Sequence, residues 1–491
     1  MLISKKFVMV FVVMALLALV AACGPAPTPE TITVVETVEV IKEVQGETIT
    51  VVETVEVIKE VVETVEVVKE VEVPAETGGG DTRILEVWDQ FEYYGMTAAG
   101  PALEEIHAAW NEAHPDNFLS RSVFGGGWPI RNAVELALTS GEAPDVFYSW
   151  PSGAGLTAYA REGFLLDLTP YADKYGWWDR LPEWALERNM FDGKLYAYPW
   201  EQDLEYVYYN TRIFDELGLE EPQSFEDVLN WCAVANEAGY TPIAFGNSTQ
   251  WPAANNFTDM VALTGGREVG LEVLRGESKW NRPELVDALD RLLQMVEAEC
   301  FTPGFNGIEY GEALAQFYTG KATAIWTGTR VIHDVVGNTP EGELDIFYFP
   351  QIYDDIPQAT HMSEGSAYYI WSGTDNPDLA AEYIDFVTSP QWLDTWIEKG
   401  STIPIQKDPI DWDKYDFDPV IGKAFSIGQG MQDLNVDAFH TTVAPNVVQA
   451  LYQGMQGVLS GETTPEDFLN KMDEETEFAK SQGQVWEPGS R

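Results

Sequence analysis

The stretch from residue 118 to residue 150 reads FLSRSVFGGGWPIRNAVELALTSGEAPDVFYSW, and its pattern decides the fold. An apolar segment at 118–124 predicts a strand, and three glycines separate it from a helix in which Ile130, Val134 and Leu138 recur at helical spacing. Gly141 ends that helix, and residues 145–148 predict the next strand. This strand–helix–strand order predicts a parallel α/β sheet with binding sites at the carboxyl ends of its strands.

The same alternation begins further upstream. Residues 83–88 predict a first strand, and a helix from Pro101 places Leu103, Ile106 and Trp110 on one face. Because the body from residue 81 onwards is larger than one hydrophobic core usually supports, we expect it to form two lobes.

The composition indicates a large globular protein that does not bind nucleic acid. Of 491 residues, 45% are hydrophobic and 12% aromatic, which excludes a wholly disordered chain. The net charge is −52, from 80 acidic and 28 basic residues, whereas nucleic acids and anionic membrane surfaces are bound by clustered Lys and Arg. With 3 cysteines and 5 histidines, the chain supports neither a disulfide framework nor a multi-zinc protein. We expect no nucleic acid partner, no metal and no cofactor.

The first 23 residues have the features of an export signal. Lys5 and Lys6 precede an apolar run at 7–20, which is shorter than a membrane-spanning helix requires. Small residues then lead into Cys23, a pattern that resembles the bacterial lipoprotein signal. The resemblance implies a chain lipidated at Cys23 and anchored outside the cytoplasm, at the cell surface or in the periplasm. The alternative is an ordinary secretory signal with a chance cysteine.

Residues 24–80 are repetitive. The segment 30–44 recurs almost intact at 47–61, and a shortened copy occupies 62–71. Val and Thr alternate in places with Glu and Lys, which is a strand period, but the repeats contain no aromatic residue and no obvious hairpin turn. We therefore expect an extended acidic tether, with pairing into β structure as the alternative. Glycines 78–80 mark the junction with the body.

Seven short motifs follow one another along the body. They are GEAPDV (141–146), YAREGFLLDL (159–168), GKLYAYP (193–199), YYNTRIFDELG (208–218), PQSFED (222–227), FYTGKA (317–322) and NPDLAAEYIDF (376–386). Together they resemble the extracellular solute-binding proteins of bacterial carbohydrate ABC importers. Each motif also has a structural role, such as Ser224 as a helix N-cap, so the series identifies the family and not the pocket.

The resemblance implies an architecture and a function. The fold is α/β and periplasmic-binding-protein-like (type II), with two α/β lobes joined by a hinge and a ligand cleft between them. We expect lobe 1 to hold 81–200 plus about 355–395, and lobe 2 about 203–350 plus 396–491. The family binds its ligand without catalysis and delivers it to the permease subunits of an ABC transporter. We expect a monomer.

Ligand residues are expected among aromatic residues at strand ends, because a sugar offers apolar faces to indole rings and hydroxyl groups to polar side chains. The tryptophans that follow predicted strands or open loops are Trp88, Trp128, Trp150, Trp200, Trp251 and Trp326. The polar and glycine candidates beside them are Asp89, Gly127, Glu201, Asp203, Asn255, Arg330 and Glu364. For each tryptophan, burial in a core is the competing interpretation.

Three functions fit these patterns. The leading hypothesis is binding of a sugar, an oligosaccharide in preference to a monosaccharide because the chain contains 17 tryptophans. The second keeps the fold and binds a polyamine or another cation, which requires several ionised acids in the cleft. The third is an extracellular glycoside hydrolase with two carboxyl groups facing one bond.

Cys232 and Cys300 both lie in predicted helical regions of lobe 2. They would be oxidised outside the cell if they are adjacent, since extracellular conditions favour disulfides. The sequence leaves open whether their Cα atoms are close enough for a bridge.

Overall fold

The structure is a computed structural model that describes residues 38–44, 47–53, 83–89, 99–124, 128–149, 154–400, 403–430 and 436–487. It divides into two units, residues 1–79 and residues 80–491. The predicted signal segment and the lipidation site Cys23 lie outside the described residues.

The N-terminal unit contains a pair of antiparallel strands. Val38–Val44 (β1) pairs antiparallel with Glu47–Glu53 (β2), and Val44 lies opposite Glu47. This pairing corresponds to the alternative that the sequence analysis left open for the repeats. The β-branched residues of two successive repeats favour strands. The role of 24–80 as a tether stays a prediction.

The second unit is a mixed α/β structure. Its strands are Arg83–Asp89 (β3), Asn117–Val123 (β4), Val146–Ser149 (β5), Met190–Phe191 (β6), Lys194–Leu195 (β7), Ala197–Asn210 (β8), Thr241–Ala244 (β9), Ala322–Gly328 (β10), Leu344–Phe347 (β11), His361–Ile370 (β12) and Val436–Asp437 (β13). None of the described helices is both long enough and apolar enough to cross a membrane.

The helices cover much of the remaining chain. They are Ala99–Ala113 (α1), Trp128–Ser140 (α2), Ala154–Arg161 (α3), Thr169–Tyr175 (α4), Trp177–Arg180 (α5), Glu183–Arg188 (α6), Thr211–Leu217 (α7), Phe225–Glu237 (α8), Trp251–Thr264 (α9), Gly266–Leu274 (α10), Pro283–Glu297 (α11), Tyr310–Tyr318 (α12), Ile332–Asn338 (α13), Pro377–Val387 (α14), Leu393–Gly400 (α15), Pro419–Gly430 (α16), Phe439–Thr442 (α17), Pro445–Leu459 (α18) and Pro465–Ser481 (α19). Short 3-10 helices lie at Phe305–Gly307, Thr329–Val331, Pro390–Trp392 and Trp412–Lys414.

The strand–helix–strand unit at 118–150 is confirmed. Strand β3 pairs in parallel with both β4 and β5, and α2 connects β4 to β5. Gly141 follows α2 with φ of 75°, a left-handed conformation that glycine adopts without strain and that commonly ends a helix.

The sheet is not parallel throughout, which corrects the expectation from the alternating pattern. Its strand order is β4-β3-β5-β12-β8-β10-β9, and β12 runs antiparallel to both β5 and β8. The 14-residue strand β8 pairs through 197–204 with β12 and through 205–210 with β10 and β11. One long strand therefore joins two sets of strands into a single sheet. The proposed lobe boundaries stay a prediction.

Aromatic residues on the helices pack into the cores. Trp110 and Trp396 are fully buried in a cluster with Leu85, and Trp231 is buried in a larger cluster with Phe257. The sequence placed Trp110 on one helix face with Leu103 and Ile106, and all three are buried in the cluster with Leu85.

Cys232 and Cys300 form a disulfide, with their Cα atoms 5.0 Å apart. The bridge links residues 68 positions apart in the sequence, from α8 to the segment after α11. Closing a loop of that length restricts the unfolded chain and so stabilises the folded one.

Ser224 is the N-cap of α8, as its motif predicted. Its Oγ accepts a hydrogen bond from the backbone N–H of Asp227 at 3.2 Å. We expect Ser224→Ala to lower the free energy of unfolding by about 1 kcal/mol, because one N–H of the first turn loses its partner. Urea unfolding measures this change. Ser224→Asn, which keeps a capping oxygen, is the matched control, and equal losses in both variants would contradict the capping role.

Candidate functional site

Three acids alternate along strand β8. Glu201, Asp203 and Glu205 occupy every second position, so the pleat directs them to the same face of the sheet. All three are largely buried, with relative exposures of 9%, 5% and 2%. Buried carboxyl groups are stable only when they form hydrogen bonds or ion pairs. The groups that pair with these three acids are therefore described next, together with the pocket beside them.

A pocket lies beside the last of these acids. It is partly open to solvent. Its chemically informative lining residues are Glu205, Trp251, Asn255, Asn256, Tyr310 and Trp326. The mixture of aromatic rings and a few convergent polar groups is typical of small-molecule sites.

Helix α9 supplies one wall of the pocket. It begins at Trp251 with Pro252 in its first turn, where the missing N–H of proline costs no helical hydrogen bond. Every residue from Pro252 to Thr264 is buried, so this helix carries Asn255 and Asn256 into the interior.

The aromatic side chains are held by one another. The rings of Trp251 and Tyr310 lie 4.7 Å apart at 63°, an edge-to-face arrangement. The Arg330 guanidinium lies 4.7 Å from the centroid of the Trp251 ring, within cation–π range. Trp326 stacks on Phe349 at 4.5 Å. These contacts fix the rings before a ligand arrives.

Asp203 and Arg330 form an ion pair beneath the pocket. The guanidinium contacts Asp203 Oδ2, while the Arg330 backbone N–H and the Thr329 hydroxyl donate to Oδ1 at 3.0 and 2.9 Å. A Cβ on Gly328 would lie 2.6 Å from this carboxylate, so the close approach of the chain requires glycine there. The two acids Asp203 and Glu205 outweigh burial and raise the pKa of Arg330.

Glu205 connects this ion pair to the pocket. Its Oε1 accepts a hydrogen bond from Asn255 Nδ2 at 2.7 Å and lies 3.5 Å from Arg330 Nη2. His361 Nε2 lies 3.6 Å from the same oxygen. Burial raises the pKa of Glu205 to about 7, although the positive charges of His361 and Arg330 oppose that rise.

Glu201 has a similar electrostatic environment. Burial raises its pKa to about 7, the hydrogen bond from Tyr148 opposes the rise, and Asp203 adds to it. Within the described residues, no group of three or more His, Cys, Asp or Glu side chains is arranged to hold a metal ion. The contacts that the structure shows for Asp203 and Glu205 are hydrogen bonds and ion pairs with other protein groups.

The structure brings five of the predicted site residues together. Trp251, Asn255 and Trp326 line the pocket, and Asp203 and Arg330 pair beside it. Their contact with a ligand stays a prediction.

Other predicted residues lie elsewhere. Trp200 is fully buried against Trp396, with ring centroids 5.2 Å apart, which agrees with the competing interpretation of core packing. Asp89 is 1% exposed and its carboxylate pairs with Arg121 through contacts of 2.5 and 2.7 Å, and its contact with a ligand stays a prediction. Trp88 is half-buried and packs on Phe124 at 4.8 Å.

Four candidates lie outside the described part of the structure. They are Gly127 and Trp150, and the side chains of Trp128 and Glu364.

The sequence interpretation missed Glu205, Tyr310, Asn256 and His361. A signal existed for Glu205, because it continues the alternation of Glu201 and Asp203 on one strand face. For Tyr310 and His361 the sequence carries no local signal, since only the tertiary fold brings 205, 310 and 361 together.

Comparison with known proteins identifies the family. A family model described as bacterial extracellular solute-binding protein matches residues 95–394. An uncharacterised ABC transporter extracellular-binding protein of Pyrococcus horikoshii is 23% identical over 352 residues, 69% of this chain and 76% of that protein. The diacetylchitobiose binding protein DasA of Streptomyces coelicolor is 25% identical over 284 residues, 56% of this chain and 63% of that protein.

Solved structures share the fold. A chitin oligosaccharide binding protein superposes with a TM-score of 0.71 at 22% identity, covering 81% of this chain and 100% of that one. The predicted fold class, α/β and periplasmic-binding-protein-like, is thereby confirmed.

Proposed function

The chain belongs to the bacterial extracellular solute-binding proteins, and on that premise we propose that it binds a sugar and delivers it to the permease subunits of an ABC transporter. The ligand class we propose is an oligosaccharide.

The main support for sugar binding is the pocket beside Glu205. Trp251 and Tyr310 offer ring surfaces for the C–H faces of a sugar, and Glu205 offers a carboxylate for its hydroxyl groups. Asn255 Oδ1 and Asn256 Nδ2 are buried at the same pocket and have no hydrogen-bond partner among the described residues. A buried acceptor and a buried donor without partners are costly, and a bound hydroxyl or amide group would satisfy both.

The named relatives support a sugar of more than one ring. Those described above are named for diacetylchitobiose and for chitin oligosaccharides.

The carboxylate count argues against a polyamine. Cationic amines need several ionised acids, yet Glu205 is the one carboxylate among the described residues of the pocket lining. That carboxylate already faces Arg330 and His361. The negative charge of Glu205 is therefore already balanced in part by these two groups. Little net negative charge remains at the pocket to bind a polycation.

We also propose that the protein is not an enzyme. Glycoside hydrolysis requires two carboxyl groups that face one bond, and the described lining supplies one. Incubating the protein with chitin oligosaccharides and measuring new reducing ends tests this; new ends at a rate above buffer would contradict it.

The location is part of the proposal. The family is extracytoplasmic, and we propose that lipidation at Cys23 anchors the chain while 24–80 separates the body from the membrane. We further propose that the body acts as a monomer and that its two lobes close on the ligand by a hinge at strand β8.

Thermal unfolding of the full chain tests the ligand class. We expect chitin oligosaccharides or another oligosaccharide of the panel to raise the unfolding midpoint, since a ligand at a hundredfold excess over Kd stabilises the folded state by about 2.7 kcal/mol. The panel also contains diacetylchitobiose, glucose, N-acetylglucosamine, putrescine and spermidine. A shift with the polyamines alone would replace the sugar by a cation, and a flat response to every sugar would remove support for the proposal.

A further inference from the structure

His361 is a fully buried histidine that the proposed binding step does not yet use. It begins strand β12 and has no exposed surface. Burial alone favours the neutral imidazole, so a charged form at this position requires specific partners.

Asp259 supplies the first partner. Its Oδ1 accepts from the backbone N–H of His361 at 2.7 Å, from the Thr360 hydroxyl at 2.7 Å and from His361 Nδ1 at 3.1 Å. Because a carboxylate accepts and does not donate, the proton must sit on Nδ1. The orientation of the ring is fixed by these contacts.

The other ring nitrogen faces Glu205. Nε2 lies 3.6 Å from Glu205 Oε1 and makes no hydrogen bond with the described residues. If Nε2 carried a lone pair, that pair would face a carboxylate oxygen, and the two would repel. A second proton on Nε2 removes the repulsion and makes His361 an imidazolium between two carboxylates.

The charges around His361 also favour its imidazolium form. The titratable and charged groups that face Glu205 or His361 among the described residues are Asp203, Tyr208, Asp259, Tyr310, Arg330 and His440. Burial lowers the pKa of His361, but Asp259 and Glu205 outweigh it and raise the value above 6.5. Burial lowers the pKa of His440 to about 3, and the nearby His361 and Arg330 contribute to this, so His440 stays neutral.

We propose that His361, oriented by Asp259, is a positioning residue that keeps Glu205 ionised and holds its carboxylate ready to accept hydrogen bonds from the sugar. This inference rests on the proposed function of the same pocket. Asp259 lies on α9 with Asn255, and His361 lies on β12, so the pair connects the pocket wall to a strand next to β8.

A pH dependence follows with a definite sign. The pKa of Glu205 is raised to about 7, so its carboxylate is lost as pH falls through that value. Protonation of Glu205 lowers the affinity for the sugar. Because one proton is involved, the affinity falls by up to tenfold for each pH unit. Removing the charge of His361 removes a contribution that lowers the Glu205 pKa. The fall in affinity then begins at a higher pH.

The first arm of the test uses the full chain without ligand. NMR of protein labelled with ¹³C in its histidines follows the titration of all 5 of them from pH 4 to pH 9. We expect one resonance with a midpoint above 6.5 that is missing in His361→Gln and moves to lower pH in Glu205→Gln. A His361 midpoint at or below 6.5, or one that Glu205→Gln leaves unchanged, would overturn the proposal.

The second arm measures the affinity for chitin oligosaccharide between pH 6 and pH 8.5. We expect the wild-type profile to fall below pH 7, His361→Gln to shift that fall to higher pH, and Glu205→Gln to abolish the pH dependence. A role in folding alone would lower affinity equally at every pH, which would contradict the proposal.

His333→Gln is the matched control. This half-buried histidine does not line the pocket, and burial lowers its pKa to about 4, so its replacement should leave the profile unchanged. If wild-type protein binds no sugar of the thermal unfolding panel, the proposed function loses support, while the first arm still decides whether His361 and Glu205 are coupled.

Discussion

Replacing Arg330 by methionine is expected to lower the free energy of unfolding by about 3–5 kcal/mol and to abolish sugar binding. Arg330 is 27% exposed and pairs with Asp203 and Glu205, which are almost fully buried. Without the guanidinium, two buried carboxylates lose their closest positive charge, and Trp251 loses the cation on its ring. Urea unfolding and calorimetric titration with chitin oligosaccharide measure the two effects.

Two variants make this prediction specific. Arg212→Met removes an exposed arginine that pairs with Glu216 and Glu343 at the surface, and it should leave stability and affinity nearly unchanged. Asp203→Asn combined with Arg330→Met removes one of the uncompensated charges and should recover part of the lost stability. A single Arg330→Met variant as stable as Arg212→Met would contradict the assigned ion pair.

Replacing Trp251 by alanine is expected to weaken sugar binding about 30- to 100-fold, or about 2–3 kcal/mol. The side chain combines a half-buried ring at the pocket with fixed contacts to Tyr310 and Arg330. Alanine would remove the stacking surface and also release the guanidinium. Titration followed by calorimetry gives the affinity directly.

Trp178 offers a matched control for this loss. It is also half-buried, lies on α5 and donates from Nε1 to Asp173 at 2.8 Å, away from the pocket lining. Trp178→Ala should leave sugar affinity within about twofold of wild type. Equal losses in the two variants would mean that Trp251 acts through general stability and not through contact with the sugar.

Local patterns predicted the elements of the fold well. The period of Ile130, Val134 and Leu138 gave helix α2, and the flanking apolar segments gave β4 and β5 within about two residues. The antiparallel β8 and β12 were not foreseen, because strand direction depends on where the chain returns in space. For the repeats at 38–53, the strand period allowed β pairing as the alternative to an extended tether, and the structure shows that pairing.

The site was only half predictable. The criterion of tryptophans that follow predicted strands or open loops selected Trp251 and Trp326, which line the pocket, but it also selected Trp200, which is fully buried. A tryptophan at a strand end fits a pocket and a core equally well in sequence. Tyr310 and His361 come from segments far from β8, so their approach to Glu205 depends on the tertiary fold.

A structure of the full chain with the oligosaccharide that gives the largest thermal shift tests the central claim most directly. We predict a sugar ring in contact with Trp251, with a hydroxyl group donating a hydrogen bond to the Glu205 carboxylate. An oligosaccharide bound elsewhere, with neither residue in contact, would contradict the assignment of this pocket as the binding site.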